Sequence, residues 1–445
     1  MEISGDPYDS HASPDRLGPW LLAAFLAAGA GLSVRFRLFQ ILHLKEWLSR
    51  TAGSLFSGAG GGGHISQFAT VCTALAATVG TGNIVGVATA ITAGGPGALF
   101  WMWVSAFLGM MTAYAEVWLG IRYRFRRGDG RQVNGPMAYM ERGAGSRGMA
   151  GCYALLCLLS SLGMGSMVQA NSIAESLSYT FCADRRLVGA VLTALVMAVI
   201  LGGVKRIAGL AEKLVPLSAG IYMAACLVIV GACFQQVPGV LLSIFKDAFR
   251  LEAAAGGAAG YGISRAVQYG LSRGVFSNEA GLGSLAVLHG TAGDTTPEEQ
   301  GMWAMFEVFF DTILSCTLTA LAILCTLRRS GGPPAFLDGG ALTAYCFSVY
   351  FGRAGEYLIA VSMALFAFST IIAWFYLGSQ ALGYLSGEKG ALCCYGFLYL
   401  NAVCLGCLFN LRAVWELSDI LNGLMAVPNL IALLLLARRV KLPKL

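Results

Sequence analysis

Charge is scarce in this chain. Aspartate, glutamate, lysine and arginine make up 12% of its 445 residues, about half the share of an ordinary soluble domain. A water-soluble protein could not cover its surface with so few ionic groups. No Gly-x-x-x-x-Gly-Lys-Ser/Thr loop occurs, so no signature of ATP-driven work is present. The thirteen cysteines show no metal-ligand spacing. Cys393 and Cys394, like Cys404-x-x-Cys407, lack the partner His or Cys of a zinc site. Cys72, Cys157, Cys226, Cys316 and Cys325 fall inside apolar runs and read as small packing residues. The four histidines are His11 in the tail and His43, His64 and His289 near membrane boundaries. None is expected to be catalytic. Residues 1–16 carry more acid than base, the reverse of a secretory signal. These absences exclude a soluble enzyme, a nucleic-acid binder and a secreted disulfide scaffold.

What is present is apolar. Hydrophobic residues reach 56% and the mean hydropathy is +0.67. A bilayer core asks for about 20 apolar residues per helix. Eleven segments qualify: 18–34, 66–94, 97–121, 149–180, 187–203, 209–234, 262–290, 301–327, 354–379, 391–410 and 414–437. The 58 glycines are about twice the usual share, which suits close helix packing and broken helices in lipid. Lys and Arg mark the cytoplasmic side. The densest block is Arg122, Arg124, Arg126, Arg127 and Arg131. Arg35, Arg37, Lys45 and Arg50 fall on the same side. So do Lys205, Arg206 and Lys213, and the closing Arg438, Arg439, Lys441 and Lys444. The N-terminus is therefore expected outside and the C-terminus inside. Residues 239–250 read as an amphipathic helix at the outer interface, and 36–50 as a similar segment inside.

With the first span set aside as an accessory, ten remain, five and five. The first of each half is interrupted. In 66–94 the interruption is Thr78-Val79-Gly80-Thr81-Gly82-Asn83. In 262–290 it is placed at Phe276-Ser277-Asn278-Glu279-Ala280-Gly281. Five being odd, the second half enters the membrane inverted. Matched broken helices in two such halves point to a transporter site at the repeat interface. Unwound N–H groups attract an anion and free carbonyls attract a cation, so a zwitterionic amino acid with a cation fits both ends. The organisation expected is a tail at 1–17, an accessory helix and connection at 18–65, and a first repeat at 66–234. An external connector at 235–261, a second repeat at 262–437 and a cytoplasmic tail at 438–445 complete it.

Several runs carry a resemblance. Gly80-Thr81-Gly82-Asn83-Ile84-Val85-Gly86, then Gly94-Gly95-Pro96-Gly97, look like the alanine/glycine:cation symporter family. Asn134-Gly135-Pro136-Met137 and Gln169-Ala170-Asn171-Ser172 are similar. So are Arg273-Gly274-Val275-Phe276-Ser277-Asn278-Glu279-Ala280-Gly281, Phe310-Asp311-Thr312, and residues 419–430. The matches extend from about residue 70 to 435. That family resembles the sodium:neurotransmitter-symporter architecture within the amino acid–polyamine–organocation superfamily. The implied fold is an all-α polytopic membrane protein, a ten-helix inverted-repeat core with discontinuous first and sixth core helices plus one extra N-terminal helix. The implied activity is Na⁺-coupled import of alanine or glycine across the cell membrane, with no cofactor beyond the co-transported ion.

By this resemblance the N–H groups of Gly80, Thr81 and Gly82 hold the substrate carboxylate, and Asn83 serves cation or substrate. Ala76, Thr78 and Val79 offer carbonyls to Na⁺, joined by the hydroxyls of Ser369 and Thr370. Phe276 is an apolar wall, Ser277 and Asn278 supply polar atoms, and Gln169 and Ile371 complete the pocket. Trp374, one turn after Thr370, shortens it. Asp311 is an intramembrane acid that would hold a cation or satisfy unwound backbone. Glu116 is expected to brace the second break, and Glu279 to have a structural role there. Proton coupling through Asp311 or Glu116 is the alternative. A membrane enzyme lacks its reactive cluster, and a channel would need polar stripes along whole helices.

Overall fold

The computed structural model describes residues 19–53, 67–128, 130–249, 258–293, 295–332, 337–409 and 412–443. The expected 1–17 tail, with His11, and His64 lie outside these. Helix α1 is Pro19–Arg35, and α2, Leu44–Arg50, lies against the bundle through buried Trp47. The first repeat opens with α3 (Gln67–Thr78) and α4 (Val85–Gly94), followed by α5 (Ala98–Arg122). A short hairpin pairs Phe125 with Val133. Then come α6 (Arg147–Phe181), α7 (Arg185–Ile200) and α8 (Gly203–Ala232). Helix α9 (Val237–Ala248) leads to the second repeat: α10 (Ala258–Asn278), α11 (Ser284–His289) and α12 (Pro297–Ser330). Helices α13 (Gly339–Phe351), α14 (Arg353–Leu385), α15 (Lys389–Leu408) and α16 (Arg412–Leu436) complete it.

Among the described residues, seven helices are long and apolar enough to cross a bilayer alone, and α3 with α4 makes an eighth, bent by 56°. The remaining predicted spans are α1, of 17 residues, α7, of 16, and the broken pair α10 and α11. The outward stripes are apolar at helical spacing: Leu187, Val191 and Leu195 on α7, and Leu424, Val427, Ile431 and Leu434 on α16 are exposed. Apolar stripes of this extent belong in lipid. The inside is where the polar residues are: Glu116, Glu279, Glu307 and Asp311 are each fully buried.

Local chemistry sets the ends. Thr296 and Glu299 form a reciprocal cap that starts α12. Asp338 accepts from the Gly339 N–H and starts α13. Helix α9 docks on the α4–α5 turn: Asp247 Oδ2 accepts from the Gly97 N–H at 2.8 Å, and any side chain on Gly97 would strike the Ala248 backbone. Its buried face is Val240, Ile244 and Ala248, with Leu242, Phe245 and Phe249 outside, as an interfacial helix requires. Helix α13 was not expected from sequence. Its thirteen residues are apolar but too short to span, so a span search passes over them.

The second break is displaced from its expected place. Phe276, Ser277 and Asn278 are the last turn of α10, and the interruption is 279–283. What breaks the helix is backbone handedness. Glu279, Gly281 and Gly283 have φ of 55°, 95° and 80°. Asn278 instead closes the end, its Oδ1 accepting from the Ala280 N–H at 3.1 Å. The accessory α1 reaches this break. A Cβ on Gly281 would lie 2.3 Å from Phe25. Gly281→Ala should therefore cost about 1–3 kcal/mol in strain plus a clash. Thermal unfolding in detergent is the measurement. Adding Phe25→Ala should relieve the clash and leave the strain, so a double variant no more stable than Gly281→Ala would contradict the packing.

Candidate functional site

The first break is built by small residues. Thr78 ends α3, Val79 and Gly80 bend the chain, and Thr81–Asn83 makes one tight 3₁₀ turn before α4. Asn83 Oδ1 accepts from the Gly80 N–H at 3.0 Å, holding the turn. Among the described residues, no acceptor is found for the N–H groups of Thr81 and Gly82. A Cβ on Gly80 would lie 2.7 Å from Thr370 Oγ1, and one on Gly82 3.2 Å from the Ser277 backbone. Glycine is what lets α10 and α14 approach this turn.

Asp311 collects the polar groups of three helices. Its Oδ1 accepts from Asn83 Nδ2 at 2.7 Å. Its Oδ2 accepts from Ser277 Oγ at 2.7 Å and Thr312 Oγ1 at 2.8 Å. It lies in a π-helical stretch, Phe309–Cys316, an irregularity common at functional sites. Among the described residues, no lysine, arginine or histidine pairs with it. A second π-helical stretch, Gly163–Val168, leads into Gln169. Gln169 Oε1 accepts from Thr81 Oγ1 at 3.1 Å. Thr370 Oγ1 lies 2.9 Å from the Ala76 carbonyl and 3.0 Å from its own Phe366 carbonyl and can donate to either, so a carbonyl of α3 and a hydroxyl of α14 meet.

Other expected residues have partners of their own. Thr78 turns its hydroxyl back to the Ala74 and Leu75 carbonyls, and Ser369 to Phe366. Both follow the habit of helix hydroxyls bonding their own preceding turn. The carbonyl side of Thr78 and Val79 remains at the bend. Asn278 Nδ2 donates to Thr312 and its oxygen is the cap already described. Ile371 is not brought to the group. Its side chain packs with Ala170, Ile173 and Tyr399 between α6, α14 and α15, because the face of α14 toward the breaks is held by Thr370 and Trp374. Phe276 stacks on Trp415 of α16 at 5.9 Å, on the side of the site away from the 122–131 arginines.

Trp374 is more than a wall. Its Nε1 donates to Glu279 Oε1 at 3.0 Å, and Ser284 Oγ donates to Glu279 Oε2 at 2.5 Å. A Cβ on Gly165 would lie 2.5 Å from the Trp374 Cβ, so the ring is pinned. Glu116 does brace the break: Asn429 Nδ2 donates to Glu116 and to the Gly281 carbonyl. Tyr139 donates to Asn429, and Tyr153 to the Leu282 carbonyl. Asn429, Trp415 and Tyr153 were not singled out from sequence. Glu307 was also missed, although an acid ten residues into a membrane helix is itself a signal.

The site side chains close on one another. Cavities lie to either side. One, of about 430 Å³, is lined by Val85, Ser172, Glu175, Arg273, Asp338 and Trp415. The other, of about 460 Å³, is lined by Arg131, Asn134, Gly290, Tyr376, Gln380 and Tyr384.

A model of the sodium:alanine symporter family matches residues 11–442. The chain belongs to that family. It is a multi-pass membrane transporter of the family, not an enzyme. An uncharacterized transporter of Haemophilus influenzae is 42% identical, across 94% of this chain and 90% of that protein. The sodium/alanine symporter AgcS of Methanococcus maripaludis is 38% identical, across 94% and 92%. The probable sodium/glutamine symporter GlnT of Bacillus subtilis is 36% identical, across 94% and 85%. Among solved structures, MhsT in complex with L-phenylalanine matches with a TM-score of 0.61 at 14% identity, over 86% of this chain and 91% of that one. A Na⁺-coupled sialic acid symporter matches at 0.51 and 15% identity, over 92% and 80%. At such identity the likeness carries the fold, the ten-helix inverted-repeat core of sodium symporters.

The Trp374–Glu279 bond ties α14 to the second break of this family member. Trp374→Phe keeps a ring but leaves a buried carboxylate oxygen without its donor. It should lower unfolding stability by about 1–3 kcal/mol, read as a reduced midpoint in detergent. An unchanged midpoint would show that the bond contributes nothing.

Proposed function

We propose that the chain imports small neutral amino acids, alanine and glycine, coupled to Na⁺ by alternating access. The observation that carries this reading is Asp311: a fully buried carboxylate, ringed by Asn83, Ser277 and Thr312 and without a protein cation among the described residues. A buried charge needs a counter-charge, and a hard oxygen-rich ring suits Na⁺. The second cation position is the Ala76 carbonyl with Thr370 Oγ1, extended by the Thr78 and Val79 carbonyls and Ser369. The amino-acid carboxylate meets the Thr81 and Gly82 N–H groups. Gln169, Phe276, Ser277, Asn278 and Trp374 surround the rest. Small cargo is favoured because Gly165 and Trp374 leave no slack. The Lys/Arg asymmetry places the 122–131 arginines and the C-terminus in the cytoplasm.

Labelled alanine and glycine uptake into proteoliposomes, with Na⁺, Li⁺ and H⁺ gradients imposed separately, tests the reading. Uptake that follows a pH gradient and ignores Na⁺ would assign the Asp311 position to a proton instead.

Na⁺ binding should also appear as stability. At 100 times its Kd a ligand adds about 2.7 kcal/mol. The unfolding midpoint of the wild type should rise with Na⁺ at constant ionic strength. Asp311→Asn, which keeps the shape but not the charge, should unfold at a midpoint nearly independent of Na⁺. Thr370→Ala should shift the response to higher Na⁺. If both variants respond as the wild type does, these positions hold no Na⁺.

Size selection should come from clash. One methylene in an apolar pocket discriminates by only about 1–3 kcal/mol, so a filter made of a large ring is removable. Trp374→Leu should admit valine or leucine while still binding alanine, measured by competition against labelled alanine. A variant that binds alanine normally and rejects every larger amino acid places the filter on another residue.

A further inference from the structure

His289 and Glu307 lie outside the site, and nothing in it uses them. His289 ends α11 and Glu307 sits well inside α12, both fully buried. Nε2 of the ring is 3.0 Å from Glu307 Oε2, and Nδ1 is 2.6 Å from Gln300 Oε1. The Gln300 amide is oriented from its other end. Its Nε2 donates to Thr295 Oγ1 at 3.1 Å, while the Thr295 hydroxyl is directed at Glu299 or the Thr296 carbonyl. Gln300 thus presents an acceptor to the ring, and Nδ1 carries a hydrogen. One further proton lies between Nε2 and Oε2. On either atom it leaves the pair neutral as a whole. Adding or removing a proton would leave a net charge in a dry place.

The surroundings offer no substitute charge. Cys72 of α3 feels the charges of Glu212 of α8 and of Glu307. Tyr114 of α5 lies against Gly301. Glu298 is held by Trp118 Nε1, Glu299 by the Thr296 amide, and Arg124 by the Ala292 and Gly293 carbonyls. Among the described residues none of these bonds the ring or Glu307. Helices α5 and α3 both pack on α11 and α12, and of the two α3 is the one that ends at a break. It is a half-helix attached through the bend at Val79 and Gly80. The pair also lies at the arginine-rich face, where Gln132 donates to the Gly290 carbonyl. Between the pair and the first break stand the Trp374–Glu279 and Tyr153–Leu282 bonds.

We propose that His289 and Glu307 form a proton-binding site, open only to the arginine-rich face, that holds α3 closed while the proton is shared. The inference rests on the transport reading, in which the carrier opens to that face. When α3 lifts and water enters, the two groups ionise separately, and a hydrated imidazole loses its proton near pH 6.5, roughly. The closed pair keeps one proton throughout. The opened pair keeps one below about pH 6.5 and none above it. Opening therefore releases a proton only on the alkaline side. There the equilibrium moves toward the open form by up to about tenfold per pH unit. Acid on that face keeps the carrier shut. No proton crosses the membrane, because the site meets one side.

The test is alanine uptake in proteoliposomes with insertion orientation scored, Na⁺ fixed, and the pH of each side set separately between 6.5 and 8.5. Alkali at the arginine-rich face should raise turnover about fivefold or more, and alkali at the other face should not. Glu307→Gln and His289→Gln should both flatten that profile. A flat wild-type profile, or variants that keep it, overturns the proposal. A measurement on the wild type alone guards against variants that fail to fold. Of the four histidines, one ring should hold a constant ¹⁵N signature from pH 6 to 8.5 in the Na⁺-saturated protein. Four titrating rings overturn the lock. Absence of uptake at every pH counts against the transport reading, and the spectrum then decides this one.

Discussion

A helix broken at mid-membrane frees peptide groups that lipid cannot satisfy, each at a cost of several kcal/mol, roughly. The rest of this structure answers that constraint twice. At the first break Asn83 takes the Gly80 N–H, and Thr370 reaches across from α14 to the Ala76 carbonyl. At the second, Asn278 takes the Ala280 N–H, Tyr153 the Leu282 carbonyl and Asn429 the Gly281 carbonyl. The glycines at 80, 82, 281 and 283 matter because Thr370, Tyr153 and Asn429 come from other helices and need close approach.

The two breaks differ in what they leave over. The second is served by α5, α6, α14 and α16, and its carboxylate, Glu279, has a donor on each oxygen. It is finished by the protein. Among the described residues, the first retains two N–H groups without protein acceptors and faces a carboxylate without a protein cation. Groups of opposite character left unmatched side by side are what a zwitterion and a cation complete. Symmetry of the repeats therefore sets where the breaks fall, and asymmetry of their partners sets which one leaves groups for a ligand.

Much of this was legible in the sequence. Apolar runs and Lys/Arg blocks mark the spans, and Thr-x-Gly-x-Gly-Asn marks the first break because it sits mid-span and is matched by a second Gly-interrupted span in the other half. The second break was misplaced by a few residues, since Ser277 and Asn278 resemble breakers yet end a helix. The true interruption depends on a left-handed Glu279, which no composition rule announces. Ile371 enters the pocket only through the resemblance, but a helix turns about 100° per residue, so with Thr370 toward the first break the next side chain points to another face. Asn429, Tyr153 and Trp415 were missed for a different reason. Their roles exist only once α6 and α16 lie beside the second break, a relation between residues more than a hundred positions apart.

The two ends of the site are closed by unequal means. On the outer side, as we orient the chain, an aromatic stack of Phe276 on Trp415 lies near a cavity of about 430 Å³. Parting it exposes two rings and breaks no hydrogen bond between them. On the arginine-rich side, Trp374–Glu279, Tyr153–Leu282 and the Asn429 bridge all cross between α10–α11 and neighbouring helices. Each buried bond contributes about 1 kcal/mol net, and more is lost if a partner is stranded without water. On the proposed transport reading, opening toward the arginine-rich face must part several of these bonds at once, while a carboxylate without a protein cation among the described residues gains by meeting solvent. A cation bound at Asp311 would remove that gain, so the ion and the inward step would be linked through one charge.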